Sequence, residues 1–454
     1  MSKNIVASEH RGLFTTRMGV LAATVGSAVG LGNIWRFPYE AGVHGGGAFM
    51  FCNLVFTLLI GIPVLCAEFT AGRGSRSNII GAYRKLAPSG RRWAGAGYMA
   101  VLSAVLILGF YSVVAGWTVE YFARSATGAL DLPSQQHYHD MFDEFSSSTW
   151  KPLIWIVIFV AANLVILLKG AKGIERMSNL LMPALFLILI VFCINSLTLD
   201  KAGEGLYFLF HPDWSMINGP TMLAALGQSF FSLSLGMGCM TTYASYFSDD
   251  TNLGRSAITT ALLDIFVAIM AGIIIFPAVF TFGGSVAAGP KLVFEVLPGI
   301  FHNLTWGPLW STLFFFLLIL ASLTSTISMH EIVITFLTEE RGMSRRAATI
   351  LDCSVTLTLA IVCSLSFGVL SDLKLFGLTI FNLLDFASSN ILMPLGGLLI
   401  SIFVGYVVDR KFIRDQMTNH GHITCHILRL TVFSLRYLAP GAIILVFLNS
   451  IGLL

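Results

Sequence analysis

Residues 26–39 read GSAVGLGNIWRFPY, which sets three glycines, the amide of Asn33 and the guanidinium of Arg36 inside a run otherwise apolar enough to cross a membrane. Each glycine weakens a helix by about 1 kcal/mol relative to alanine, and a carbonyl released in hydrocarbon must find another partner. A bound ligand accounts for both costs. A helix unwound at membrane depth, with bare carbonyls beside a side-chain amide, suits a dehydrated cation and a small zwitterion. A second stretch, GQSFFSLSLGMG over 227–238, repeats the anomaly by placing Ser232, Ser234, Gly236 and Gly238 at mid-membrane.

Three further groups stand out against apolar surroundings. Asp264 lies among Leu262, Leu263, Ile265 and Phe266; a carboxylate there costs about 2.5 to 3.5 kcal/mol on insertion scales and must face a cavity or a cation. Thr324 and Ser325 would singly pass as hydroxyls that join membrane helices. Beside two broken helices they become ligand candidates. Tyr111 sits within a long apolar run rather than in an interfacial belt. The ten histidines show no HExxH spacing and no GxSxG turn occurs, so the sequence carries no hydrolase signature. His330, beside Glu331, reads as a satisfied interhelical pair. The seven cysteines, odd in number and without CxxC spacing, support neither a disulfide framework nor a zinc site.

The elements that must position these groups are membrane spans. Hydrophobic residues make up 56% of the 454 and charged residues only 11%, well outside the range of soluble domains. Stretches able to cross about 30 Å of hydrocarbon fall at 17–42, 47–72, 95–124, 151–169, 174–197, 220–247, 255–283, 306–338, 346–366, 376–408 and 427–453. The chain is therefore expected to be an all-α integral membrane protein of about eleven transmembrane helices. The net charge of +3 is spread over loops and gives no reason to expect nucleic acid. Arg73, Arg76, Arg84, Lys85, Arg91 and Arg92 follow the second span, and Lys169, Lys172 and Arg176 follow the fourth. By the positive-inside rule the N-terminus is cytoplasmic and the C-terminus extracytoplasmic. Residues 1–16 then form a cytoplasmic segment with no cleavable-signal pattern. Spans one to five (17–197) and six to ten (220–408) make two halves, with an extracellular loop at 198–219. A lid loop at 284–305 is expected as either a re-entrant hairpin or an ordinary surface loop, and 409–454 holds a cytoplasmic loop and the last span.

Interruptions at matching places in two five-span halves, together with GGGAF at 45–49, TTYASY and ASLTSTIS, resemble the neurotransmitter:sodium symporter family in its bacterial amino-acid transporter branch, over about Arg11 to Leu454. The resemblance implies a five-plus-five inverted repeat with helices 1 and 6 unwound. It also implies sodium-coupled symport of a neutral amino acid by alternating access in the cell (inner) membrane, and no enzymatic activity.

Similarity to the family assigns one sodium to Gly26, Val29, Ala321, Thr324 and Ser325. The other goes to Ala28, Asn33, Ser232, Asp264 and the substrate carboxylate. The substrate would meet Ser27, Ala28, Leu31, Gly32, Ile107, Tyr111, Phe231, Ser234, Met237, Ser325 and Met329. Gly30 stands where monoamine transporters of the family carry aspartate, leaving room for a carboxylate. Met237 and Met329 can move aside for a bulky side chain, and with no charged liner the expected substrate is large and hydrophobic or aromatic. Chloride-dependent relatives carry asparagine at position 264 and serine at 268; here Asp264 and Ala268 imply a chloride-independent cycle. The gates implied are Arg36 with Asp385 on one side and Arg11 with Glu339, Tyr246 and Phe14 on the other. Gly173 and Pro183 read as a point of unwinding or a plain proline kink, and Glu68 as a partner for backbone near the sixth helix. The competing reading is a non-transporting, sodium-independent amino-acid sensor on the same scaffold; the bilayer and a small molecule are the expected partners.

Overall fold

The computed structural model describes residues 13–450 except 15, 89, 131, 133 and 287–291. Apart from two isolated backbone bridges, regular structure among the described residues is helical. The first span is α1 (Arg17–Ala28), a π-helical turn (Gly32–Arg36) and α2 (Phe37–Val43). Thr16 opens it by accepting from the Gly19 N–H. The second joins α3 (Gly47–Phe56) to α4 (Ile62–Ser75), and a short α5 (Ile79–Leu86) leads into α6 (Gly90–Ala126), the third. Loop helix α7 (Gln135–Ser147) precedes α8 (Lys151–Leu167) and α9 (Gly170–Leu197), the fourth and fifth. After α10 (Ala202–Phe210), the sixth span is split into α11 (Gly219–Ser232) and α12 (Cys239–Ala244). The seventh is α13 (Leu253–Phe282), followed by α14 (Val296–His302), and α15 (Gly307–Arg341) and α16 (Arg345–Leu365) are the eighth and ninth. The tenth runs from α17 (Ile380–Asp385) through a π-helical stretch into α18 (Met393–Ile402); α19 (Arg410–Met417) leads to α20 (Leu428–Phe433) and α21 (Ala439–Ser450), the eleventh.

Among the described residues eight continuous helical stretches, with the α- and π-helical segments of one span taken together, are long and apolar enough to cross a membrane, and up to ten spans result when each bent pair is taken as one. The first span is such a pair, bent by 44° between α1 and α2. The sixth is short in both halves because it is broken.

That break has a visible cause. Ser234, Gly236 and Gly238 all adopt positive φ, at 54°, 81° and 77°, which a continuing right-handed helix does not allow. Gly236 also lies against the backbone of α18, where a Cβ would strike the Met393 carbonyl. Glu68 on α4 steadies the turn by accepting from the N–H groups of Gly236 and Thr241 at 2.8 and 3.0 Å, as the sequence suggests. In contrast, α9 runs unbroken through Gly173 and Pro183.

The described part of the lid segment includes one helix and a buried apolar stretch. Its single described helix is α14, and Leu292, Val293 and Phe294 before it are buried. Phe294 packs edge-on to Trp117 and Tyr121 of α6, with centroids 5.6 and 5.3 Å away. Apolar burial anchors the described part of the segment; residues 287–291, Pro290 among them, lie outside the described residues.

Candidate functional site

The two broken helices meet face to face: Ser234 Oγ donates to the Ser27 carbonyl at 2.9 Å. Beside them lies a narrow cavity of about 20 Å³, lined by Ser27, Ala28, Gly30, Gly32, Ile107, Tyr111, Phe231, Ser234, Met237, Ser325 and Met329. Gly30 thus joins the residues expected to touch the substrate, whereas Leu31 sits behind the wall and donates its N–H to Tyr111 Oη at 3.0 Å. A Cβ on Gly30 would come within 2.9 Å of that same phenolic oxygen and would strike Ser325 Oγ. The missing side chain is what leaves the cavity open there.

On one side of the cavity Asn33, Ser232 and Asp264 form a buried cluster. Asn33 Nδ2 donates to Asp264 Oδ1 at 2.7 Å and lies 2.9 Å from Ser232 Oγ, which reaches both carboxylate oxygens at 2.7 Å. Asn33 Oδ1 accepts from the Gly30 N–H at 3.1 Å, and Gln228 Nε2 donates to the Gly32 carbonyl at 2.8 Å. Among the described residues no cationic side chain makes an ion pair with Asp264. Hydrogen bonds alone do not balance a carboxylate in hydrocarbon; a cation or a proton from outside the chain must.

A second oxygen cluster lies where α1 ends. Val29 ends α1 with extended dihedrals, and its carbonyl faces Thr324 Oγ1 at 3.4 Å and Ser325 Oγ at 3.5 Å. Thr324 Oγ1 is also 3.0 Å from the Ala321 carbonyl. The spacing of Ala321, Thr324 and Ser325 puts all three on one face of α15. Gly26 completes the approach, since a Cβ there would sit 3.4 Å from Thr324 Cβ.

Charged contacts lie on both sides of the cavity. Toward the α7 end, Arg36 lies 3.9 Å from Asp385 Oδ1 and 3.6 Å from Glu40 Oε1, with its guanidinium 4.7 Å above the Phe231 ring. Phe231 in turn lines the cavity. Toward the α5 end, the Phe14 N–H donates to the Tyr246 carbonyl at 3.0 Å. The Tyr246 hydroxyl donates to Glu331 Oε1 at 2.6 Å, and Arg345 grips both Glu331 oxygens at 2.9 and 2.6 Å. Glu339 accepts from the backbone and side-chain amides of Asn78 at 2.9 and 3.0 Å, and Arg11 lies outside the described residues. His330 finds its interhelical partner in Asp352, at 2.7 Å.

Sequence reasoning did not single out Gln228, Cys239 or Arg345, nor the tie between Glu331 and Tyr246. Cys239 Sγ is 3.0 Å from Ser27 Oγ. A signal for Arg345 existed: a carboxylate as buried as Glu331 requires a cation, and Arg345 and Arg346 open the next helix.

A family model described as the sodium:neurotransmitter symporter family matches residues 11–141 and 133–453. An uncharacterized sodium-dependent transporter, YhdH, of Bacillus subtilis (strain 168) is 40% identical over 442 residues, covering 97% of this chain and 98% of its own length. An uncharacterized sodium-dependent transporter of Haemophilus influenzae is 34% identical, covering 98% of this chain and 99% of its own. A human sodium- and chloride-dependent GABA transporter 2 is 26% identical across 90% of this chain and 75% of its own. The crystal structure of MhsT in complex with L-phenylalanine superposes with a TM-score of 0.91 at 43% identity, covering 97% of this chain and all of that one.

Proposed function

Because the chain belongs to the sodium:neurotransmitter symporter family, whose members found here are sodium-dependent transporters, we propose that it is a sodium-coupled symporter for a neutral, large hydrophobic or aromatic amino acid. The observation that carries this reading is the narrow cavity between two broken helices, flanked by two buried oxygen clusters.

In the proposed complex the substrate carboxylate meets Tyr111 and the amides of Leu31 and Gly32. Its ammonium meets carbonyls of Ser27, Ala28, Phe231 and Ser234. One sodium sits among Ala28, Asn33, Ser232, Asp264 and that carboxylate; a second sits among Gly26, Val29, Ala321, Thr324 and Ser325. Ion and substrate then stabilise each other through a shared contact, which is the coupling. Asp264 supplies a fixed negative charge, so chloride is not needed. The polarizable Met237 and Met329 suit a bulky side chain, and the L-phenylalanine bound by MhsT is a member of the proposed class. Arg36 and Asp385 close the extracytoplasmic side and the Tyr246 contacts the cytoplasmic side. The chain sits in the inner membrane as two five-span repeats plus an eleventh span.

Thermal-shift screening of the purified protein against the twenty amino acids, in sodium and in potassium, tests this. Stabilisation by phenylalanine, tryptophan or leucine only in sodium is expected. Equal stabilisation in potassium would favour a sodium-independent sensor.

A further inference from the structure

We propose that the groove between α19 and the start of the eleventh span is a binding site for an anionic phospholipid. The groove has a volume of about 560 Å³, and Arg410, Lys411, Arg414, Arg429 and Arg436 line it. On α19 the first three fall within one arc, at i, i+1 and i+4. From the other wall Arg429 and Arg436 project one heptad apart, on the same helical face as Val432 and Phe433.

These cations are largely unspent. Among the described residues Arg410, Lys411 and Arg429 make no ion pair, and Arg414 has only Asp415, at 3.8 Å. Arg436 is held in place: its Nε donates to the Gly405 carbonyl at 2.6 Å and its guanidinium stacks 5.3 Å from the Tyr406 ring. The far side of α19 is fixed as well, since Arg73 of α4 donates from Nε to Gln416 Oε1 at 2.9 Å. The groove is thus a built feature of the fold rather than a loose loop.

Its depth in the bilayer selects the ligand. Arg429 lies in the first turn of a stretch long and apolar enough to span the membrane, Leu428–Leu445, and Arg436 lies two turns further along it, where its long side chain can snorkel back to the phosphates of the headgroup layer. Beside them Phe433 and Tyr437 are exposed, by 50% and 60%, and offer an apolar strip to acyl chains. A soluble phosphate would use the guanidinium forks but not the strip. A zwitterionic lipid would use the strip but present no net charge to the cluster. An anionic phospholipid satisfies both.

Native mass spectrometry of the purified full chain, titrated with dioleoylphosphatidylglycerol or dioleoylphosphatidylcholine, reads the affinities directly. The phosphatidylglycerol adduct should form at least ~10-fold more tightly. Removing a cation near the surface is worth about fivefold, so the Arg410→Gln, Lys411→Gln, Arg429→Gln variant should lose most of that preference. Arg410→Lys with Arg429→Lys should retain it, as should Lys169→Gln with Lys172→Gln, which lowers net charge elsewhere. Equal binding of the two lipids would overturn the proposal. So would undiminished phosphatidylglycerol binding by the triple glutamine variant, or displacement of the lipid by excess inorganic phosphate.

Discussion

Asn33 Nδ2 stands 2.7 Å from Asp264 Oδ1, joining residues 231 positions apart between the first and seventh spans. Neither residue has a reason to be in hydrocarbon alone. Together with Ser232 they make a polar knot at the edge of the cavity. An ion that enters it must exchange these hydrogen bonds for coordination, and a substrate carboxylate beside the ion shares the exchange. Under the proposed function the ion site and the substrate site would form one energetic unit.

Asn33→Ala should therefore weaken sodium and amino-acid binding together. Linkage makes the coupling between two ligands reciprocal; losing the amide oxygen should cost about tenfold in each, as read by calorimetric titration of amino acid at several sodium concentrations. An amino-acid affinity unchanged from wild type would refute the shared contact.

Charge at position 264 should decide the anion requirement. Wild-type uptake into proteoliposomes should be the same in chloride as in gluconate, because the carboxylate is already present. Asp264→Asn with Ala268→Ser removes that charge and adds a hydroxyl one turn along the helix. It should transport at least ~5-fold faster in chloride than in gluconate. Loss of wild-type uptake in gluconate would contradict the assignment.

Gly30→Ala tests the cavity itself. The added methyl meets the Tyr111 oxygen at 2.9 Å as well as Ser325 Oγ, and overpacking of this kind costs about 1 to 3 kcal/mol. Amino-acid binding should fall more than ~10-fold, while sodium alone still raises the melting temperature. Wild-type amino-acid affinity in this variant would move the substrate elsewhere.

Much of this was legible because lipid is a severe solvent. Span positions follow from the length of apolar runs, and a glycine, amide or acid inside one stands out because each is costly there. Ten of the eleven residues expected around the substrate line one cavity together with Gly30, and Leu31 stands outside it. What stayed hidden depends on distance in three dimensions. Tyr246 and Glu331 are 85 positions apart, and Glu339, two turns further along α15, was an equally good acid by type. Nor does hydropathy separate a lid hairpin from a buried strap such as 292–294, since both are apolar and short.

The latch at the α5 end yields the last expectation. Glu331 is fully buried and binds Tyr246 and Arg345 at once. Glu331→Gln keeps the shape but removes the charge that holds Arg345, so α15 and the start of α16 lose a tie at that end of the bundle. Cys239 reports the result, because it is buried beside Ser27 between the cavity and the latch. In a variant keeping Cys239 as its one cysteine, Glu331→Gln should raise the rate of labelling by a small, membrane-impermeant thiol reagent about tenfold, by lowering the cost of opening about 1.4 kcal/mol. The melting temperature should fall only modestly, because half-exposed Arg345 can turn to water. If labelling instead stays at the wild-type rate, Glu331 supports the fold at that end without controlling access through it.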